Sequence, residues 1–252
     1  MNEFLPGTHP HYRHDFTVRM GEVNRAGKVG IATLCGYLQE VATWNGTQMG
    51  FGLVDLLKIQ RTWMLSHLTV EVSSSLEWND TFTMQTWPSG ARGSLVATRD
   101  FIGRDGQGRV ILAATSEWLF VDTSTKKIVR LPQSLLSKII PGTPRVALSE
   151  APPPDPKEFP VAQSEKITVR HSDIDVNLHA NNTRYVDWMM EPVIETKGMA
   201  QPNRIEIFFK LGATETDIVH SAVSREEGGI IRHRLTRESD GAVLAVAVSR
   251  WA

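Results

Sequence analysis

Asp175, Asn177 and His179 stand two residues apart in the run HSDIDVNLHANNTRYVDWMMEP, which extends from His171 to Pro192. An acid, an amide and an imidazole set together could carry acid–base or nucleophilic chemistry. On an extended chain, side chains at i, i+2 and i+4 leave on one face. On a helix a two-residue step turns by about 200° and would send Asn177 away from the other two. The spacing therefore predicts an extended lead-in over 173–179. The period then changes, because Tyr185, Trp188 and Met189 follow the i, i+3, i+4 rule of an amphipathic helix. Asn181 and Asn182 stand where an N-cap belongs, and Pro192 marks the expected end. Free N–H groups at that helix start, around Asn181 and Asn182, could stabilise a developing oxyanion.

The elements that must position these groups are repeated in the chain. Shifted by 151 residues, FTVRMGEVN (16–24) falls on ITVRHSDID (167–175), with Thr-Val-Arg identical. Without a gap, Leu34, Tyr37, Leu38 and Glu40 then fall on Tyr185, Trp188, Met189 and Glu191, so helix phase is kept. After each helix come alternating apolar segments that read as strands: 62–73, 81–87, 94–103 and 110–122, then 205–211, 218–225, 230–238 and 243–251. The turns at 103–108, 226–229 and 239–241 carry Asp-Gly or Gly-Gly signals. The proline-rich stretch 152–156 reads as a stiff connector, which divides the chain into units 1–150 and 151–252. One helix followed by antiparallel strands, twice, predicts an α+β fold. In the first copy Asn24, Ala26 and Lys28 replace Asp175, Asn177 and His179. Asp and Asn also favour turns without any chemistry. The loss of all three types in the first copy weighs toward chemistry in the second.

Composition narrows the function classes. The chain has 252 residues, is 41% hydrophobic and 22% charged, and carries a net charge of −1. That balance argues against a nucleic-acid binder. Cys35 is the only cysteine, so no internal disulfide exists. No apolar run approaches the ~18 residues of a membrane span, and the N-terminus has no signal-peptide core. A cytoplasmic, bacterial-type protein is the expectation. Neither a nucleotide-binding loop nor a G-x-S-x-G elbow is present, and no cofactor is expected. No metal is expected either, since no further ligands complete a set beside the motif. His9, His11 and His14 read as a floppy terminus, and Cys35 as core filler. Trp44, Trp63, Trp78, Trp87 and Trp118 read as core and tunnel wall.

The DVNLHANN core followed by an aromatic-rich helix resembles the signature of the plant and bacterial acyl-ACP thioesterases. The FTVRMGEV strand, the LCGYLQEVA helix and the SEWLFVD strand extend the resemblance over nearly the whole chain. It implies a tandem double hot-dog, two curled antiparallel sheets each wrapped around a helix. It also implies hydrolysis of fatty acyl-ACP to free fatty acid and ACP in fatty acid biosynthesis. Asp175, Asn177 and His179 would then be catalytic, with the first unit holding the acyl chain and acyl carrier protein as partner. Alternatives are an acyl-CoA thioesterase and a non-catalytic acyl-thioester binding protein. Chain length, level of activity and association into a homodimer stay open. One departure is plain: where plant members carry Glu-Cys-Gly, this chain has Lys210-Leu211-Gly212. Glu206 lies four residues earlier, about 13 Å along a strand, too far to replace the missing acid.

Overall fold

The computed structural model describes residues 11–139, 147, 160–198, 200–224 and 227–251. The connector 152–156, His9 and Glu226 of the 226–229 turn lie outside them. The first half runs β1 (Tyr12–Thr17), α1 (Ile31–Gln48), α2 (Leu53–Lys58), β2 (Arg61–Val72), β3 (Thr81–Arg92), β4 (Val96–Asp105), β5 (Val110–Asp122), β6 (Lys127–Ile128) and α3 (Gln133–Leu136). The second half runs β7 (Gln163–Thr168), α4 (Asn182–Met190), α5 (Ile194–Lys197), β8 (Arg204–Phe209), β9 (Ile218–Val223), β10 (Ile230–Arg237) and β11 (Val243–Arg250). Among the described residues, eleven strands form one antiparallel sheet in the order β1-β3-β4-β5-β2-β8-β11-β10-β9-β7, with β6 on β5. Each half repeats one strand order, and the halves join where β2 pairs with β8.

Both main helices lie against one face of this sheet and against each other. Leu34, Leu38 and Val41 recur at helical spacing on α1 and are buried, as are Tyr185, Trp188 and Met189 on α4. They pack in one cluster with Leu68, Val70, Phe101, Ile205 and Ile207 from the sheet. Burying a side chain of this size contributes roughly 1.5–3 kcal/mol, so the helices are fixed mainly by this shared core. Cys35 is buried in the same cluster, and its thiol is pushed up to about 12, first by burial and then by the Asp187 charge.

The sheet seam carries a buried polar cluster. His67 lies 3.0 Å from Glu206 and 3.8 Å from Glu117. Arg92 reaches Glu117 at 2.7 Å, and Arg204 pairs with Glu71 and lies 3.7 Å from Glu206. Glu206 is thus committed to joining the halves. β8 ends at Phe209, short of the expected 211, because the amides of Lys210 and Leu211 both donate to Leu244 O and break the ladder. Lys210 is exposed just past that end.

Three further expectations need correction. Residues 173–179 are not extended. His171–Asp173 is a single 3-10 turn, and 175–179 folds back as a tight loop. His11 and His14 do not belong to a floppy end: His14 lies on β1, in full register with β3, and packs 4.3 Å from Trp44. His11 stacks on buried Trp87 at 5.0 Å. Trp78 is exposed rather than part of a core or tunnel wall. α2 and α3 had no strong sequence signal, since each is a short apolar turn that becomes helical only against its neighbours.

Candidate active site

The loop that carries the motif is closed by its own backbone. Asp175 N–H donates to His179 O at 2.8 Å, and Leu178 N–H donates to Asp175 O at 3.0 Å. Ile174 pairs with Ala180 at its base. The Asp175 carboxylate accepts the Asn177 N–H through Oδ1 at 2.8 Å, the local turn bond that Asp and Asn favour. This leaves Oδ2 without a protein donor among the described residues. Asn177 Oδ1 accepts from the Thr62 hydroxyl at 3.1 Å, tying the loop to β2 of the first half.

His179 is held differently. Its Nδ1 lies 2.9 Å from Asn177 O. A carbonyl oxygen only accepts, so Nδ1 carries the proton and the neutral ring keeps its lone pair on Nε2. The ring lies over Gly212, where an added Cβ would stand 2.4 Å from Cδ2 and 3.2 Å from Nε2. Tyr185 fixes that strip of chain. Its hydroxyl donates to Leu211 O at 3.0 Å and accepts the Ala213 N–H at 2.7 Å. Burial is the main reason that the Tyr185 hydroxyl is pushed up to about 12. Sequence reasoning missed the roles of Gly212 and Tyr185. The repeat could have flagged Tyr185, because Leu34 stands at its place in the first copy.

Asn181 is the N-cap of α4. Its side chain accepts the Thr183 N–H at 3.0 Å and the Thr183 hydroxyl at 2.9 Å. That amide oxygen is therefore used by the helix. Arg184 N–H donates to Asn181 O at 2.9 Å. The Asn182 N–H is left without an acceptor among the described residues, which makes it the donor that a developing oxyanion could use.

A cavity of about 640 Å³ opens beside this loop. Asp175, Asn177 and Asn182 line its mouth, whereas His179 does not line it. The expectation that all three motif side chains share one face is therefore corrected: the folded loop puts Asp175 and Asn177 at the cavity and His179 against Gly212. The remaining wall comes from the first half, through Met49, Phe51, Leu56, Trp63, Trp118 and Leu135 among others. Polar side chains interrupt this wall at Gln39, Glu40, Thr43, Thr98 and Arg99; Arg99 is the part-buried cation among them. It donates to Asn45 Oδ1 at 2.7 Å and Thr86 Oγ1 at 3.1 Å, and burial lowers it to about 10. A second hollow of about 820 Å³ has a charged lining, including Arg19, Glu22, Arg184 and Asp187, and does not reach 175–179. Among the described residues no group of three or more His, Cys, Asp or Glu could hold a metal ion.

An apolar cavity built by one hot-dog half and a polar loop supplied by the other define a hot-dog enzyme of the thioesterase class. The family models agree, with the acyl-ACP thioesterase N-terminal domain matching residues 9–139 and its C-terminal domain matching 157–252. The chain belongs to the acyl-ACP thioesterase family. It is 26% identical over 245 residues to oleoyl-acyl carrier protein thioesterase 2 of Arabidopsis thaliana, covering 89% of this chain and 66% of that one. It is 26% identical over 260 residues to dodecanoyl-[acyl-carrier-protein] hydrolase of Cinnamomum camphora, covering 95% and 67%. The chain thus spans about two thirds of the length of these curated relatives. Among solved structures, an acyl-ACP thioesterase from Bacteroides thetaiotaomicron superposes with a TM-score of 0.83 at 22% identity, over 95% of this chain and 97% of that one. The 12:0-ACP thioesterase from Umbellularia californica gives 0.81 at 21%, over 96% and 97%. These likenesses establish the double hot-dog fold.

Proposed function

We propose that this chain hydrolyses fatty acyl-ACP to free fatty acid and ACP, with the acyl chain held in the first half and the reaction carried out on the 175–179 loop of the second. The observation that carries the reading is the position of Asp175, Asn177 and Asn182 at the mouth of an otherwise largely apolar cavity. An acyl chain in that cavity brings its thioester carbon to the loop. The Asp175 carboxylate takes a proton from water, or attacks directly, and the Asn182 N–H receives the carbonyl oxygen as it becomes an oxyanion. Asn177 orients the loop through Thr62 and the carbonyl group through its amide. On the water route His179 Nε2 takes that proton over from Asp175 and gives it to the departing thiolate. Collapse of the tetrahedral intermediate then breaks the C–S bond and leaves the free acid in the cavity, or, where Asp175 attacks, an anhydride with Asp175 that water opens to the acid, its proton going to the thiolate.

The single buried cysteine suits a reducing compartment, which supports a cytoplasmic reaction. No helix among the described residues is long and apolar enough to cross a membrane. The deciding experiment is thiol release from acyl-ACP and acyl-CoA side by side, with product analysis. Turnover is expected on acyl-ACP in preference to acyl-CoA, with free fatty acid formed. Preference for acyl-CoA would transfer the same chemistry to that substrate. Stoichiometric binding without thiol release would overturn the enzyme reading.

A further inference from the structure

The two copies of the loop differ at their tips in a way that the chemistry does not require. In the first half the tip residues are Arg25 and Gly27, and Gly27 takes φ +74°. In the second half they are Val176 and Leu178, 73% and 76% exposed, and Leu178 holds φ +61°. A left-handed backbone favours glycine and strains a residue with a side chain. An aliphatic residue kept there, with its side chain in solvent, gains nothing from the fold itself.

These tips are not isolated. Thr62 bonds Asn177, Arg61 pairs with Asp122 at 2.6 Å, and Thr123 N–H donates to Gln60 O at 3.0 Å. The loop, the end of α2 and the β5–β6 turn therefore meet at one edge of the cavity mouth. Thr62, Val121 and Ile128 are register neighbours, which puts Ile128 about 10 Å from Thr62 at two strand spacings. Leu57, Ile59 and Ile128, on the segments that flank Thr62 or reach it through Val121, are exposed, as are Val176 and Leu178 on the loop that Thr62 ties down. Lys58, Arg61, Lys126 and Lys127 neighbour Leu57, Ile59 and Ile128 in the chain. The carboxylates of Asp55 and Asp122 are already taken by Lys58 and Arg61. Lys126 and Lys127 are exposed and make no ion pair among the described residues. A chain of net charge −1 thus presents a basic, aliphatic surface at the entrance to its cavity.

We infer that this surface docks the acyl carrier itself, through an acidic, apolar-centred face of that protein, so that the thioester enters beside Asp175. The inference rests on the acyl-ACP reading above. A protein fits better than a lipid surface. The patch contains no Trp or Tyr of the kind that marks membrane interfaces, and α2 is too short to lie as an interfacial helix.

The test compares two substrates on the whole chain: acyl-ACP, and the same acyl group on free pantetheine. The variants are Leu57→Asp and the pair Lys126→Glu with Lys127→Glu, none of which lines the cavity. Each should raise KM for acyl-ACP about tenfold or more, the effect of losing a contact worth about 1.4 kcal/mol. Turnover of acyl-pantetheine should stay within about twofold of the parent value, since no catalytic contact changes. Added salt should raise the parent's KM for acyl-ACP and affect the lysine variant less. Unchanged KM for acyl-ACP in both variants, with a parent that turns it over, would overturn the docking surface and leave the proposed function standing. A parent inactive on acyl-ACP would remove both. Binding to vesicles of phosphatidylglycerol and phosphatidylcholine that Leu57→Asp abolishes, with KM for acyl-ACP unmoved, would assign the patch to lipid and overturn the proposal.

Discussion

Residues 23–29 and 174–180 trace the same turn with different side chains. Asn24 N–H donates to Lys28 O at 2.8 Å, and Asp175 N–H donates to His179 O at the same distance. Asn24 Oδ1 accepts the Ala26 N–H at 2.9 Å, as Asp175 Oδ1 accepts the Asn177 N–H at 2.8 Å. Val29 N–H reaches Leu76 O, and Ala180 N–H reaches Ala213 O. An Asp or Asn at the head of this loop is therefore a requirement of the turn in both copies. What differs is the opposing strip. The second half sets Gly212 under His179 and ties Leu211 and Ala213 to Tyr185. The first half has Ser75 before Leu76, pairs Lys28 with Glu77, and has Leu34 in place of the tyrosine. The backbone turn is a scaffold, and a reactive site needs both the loop side chains and the strip that orients them.

The largest effect should follow from removing the loop chemistry. Asp175→Asn keeps the turn, because Asn24 already makes the same bond in the first half, yet it removes the charge. Asp175→Asn and His179→Ala should each lower kcat by about 10²-fold or more, measured by thiol release at saturating acyl-ACP. Parental turnover in both would sink the catalytic assignment. The converse graft, Asn24→Asp with Ala26→Asn and Lys28→His on the Asp175→Asn chain, should restore no turnover, since the first half lacks the opposing glycine and tyrosine. Any restored activity would show that the loop alone suffices.

Next in size is Gly212→Ala, whose methyl would meet the imidazole. Displacing His179 should reduce kcat by about 10- to 100-fold, with Tm little changed, whereas Ser75→Ala should leave both as they are. A Gly212→Ala enzyme with full kcat would mean that the position of His179 over this glycine is not used. Tyr185→Phe strips the buried Ala213 N–H of its acceptor and should cost about 1–3 kcal/mol of stability. Urea titration against a Leu34→Met control would measure it, and equal midpoints would refute the tie.

Smaller effects concern the seam. Burial lowers the His67 pKa, but hydrogen bonds and charges from Glu117 and Glu206 outweigh it, so the pKa is raised above the ordinary 6.5. The protonated ring is thus favoured by the fold. Its stabilisation is complete below 6.5 and is lost as pH rises through the raised value. Tm should fall over that interval in the parent and less in His67→Gln. Glu206→Gln should also lower Tm while leaving kcat nearly intact, and a collapse of turnover would implicate this carboxylate in the reaction. The smallest effect belongs to Lys210→Glu. An exposed residue past the end of β8 should alter stability by no more than about 0.5 kcal/mol and leave kcat unchanged. A large gain would mark the natural chain as a weakened hydrolase.

Much of the fold was legible because periodicity is a local property. Val110–Asp122 matches the expected strand, and the helical phase of Leu34, Leu38, Tyr185 and Met189 follows from an apolar stripe that any core would bury. The repeat, and the motif types lost from the first copy, could also be read directly, because both are written in residue identity at fixed offsets. The shape of 173–179 could not. Alternating polar residues suit an extended chain as well as a turn, and only the bond from Asp175 N–H to His179 O selects the turn.

The residue types at 175, 177 and 179, and their restriction to the second copy, are written in the order of the amino acids. Tertiary structure decided which of them meet the cavity, because that depends on contacts between residues far apart in the chain. Thr62 holds Asn177 across 115 positions, and Gly212 accommodates His179 across a chain reversal. It also decided that Glu206 belongs to the seam, since a carboxylate's partner is set by where β2 and β8 pair. Local spacing fixes the phase of a side chain along its own segment. Contact with another segment depends on how the whole sheet closes around its helices.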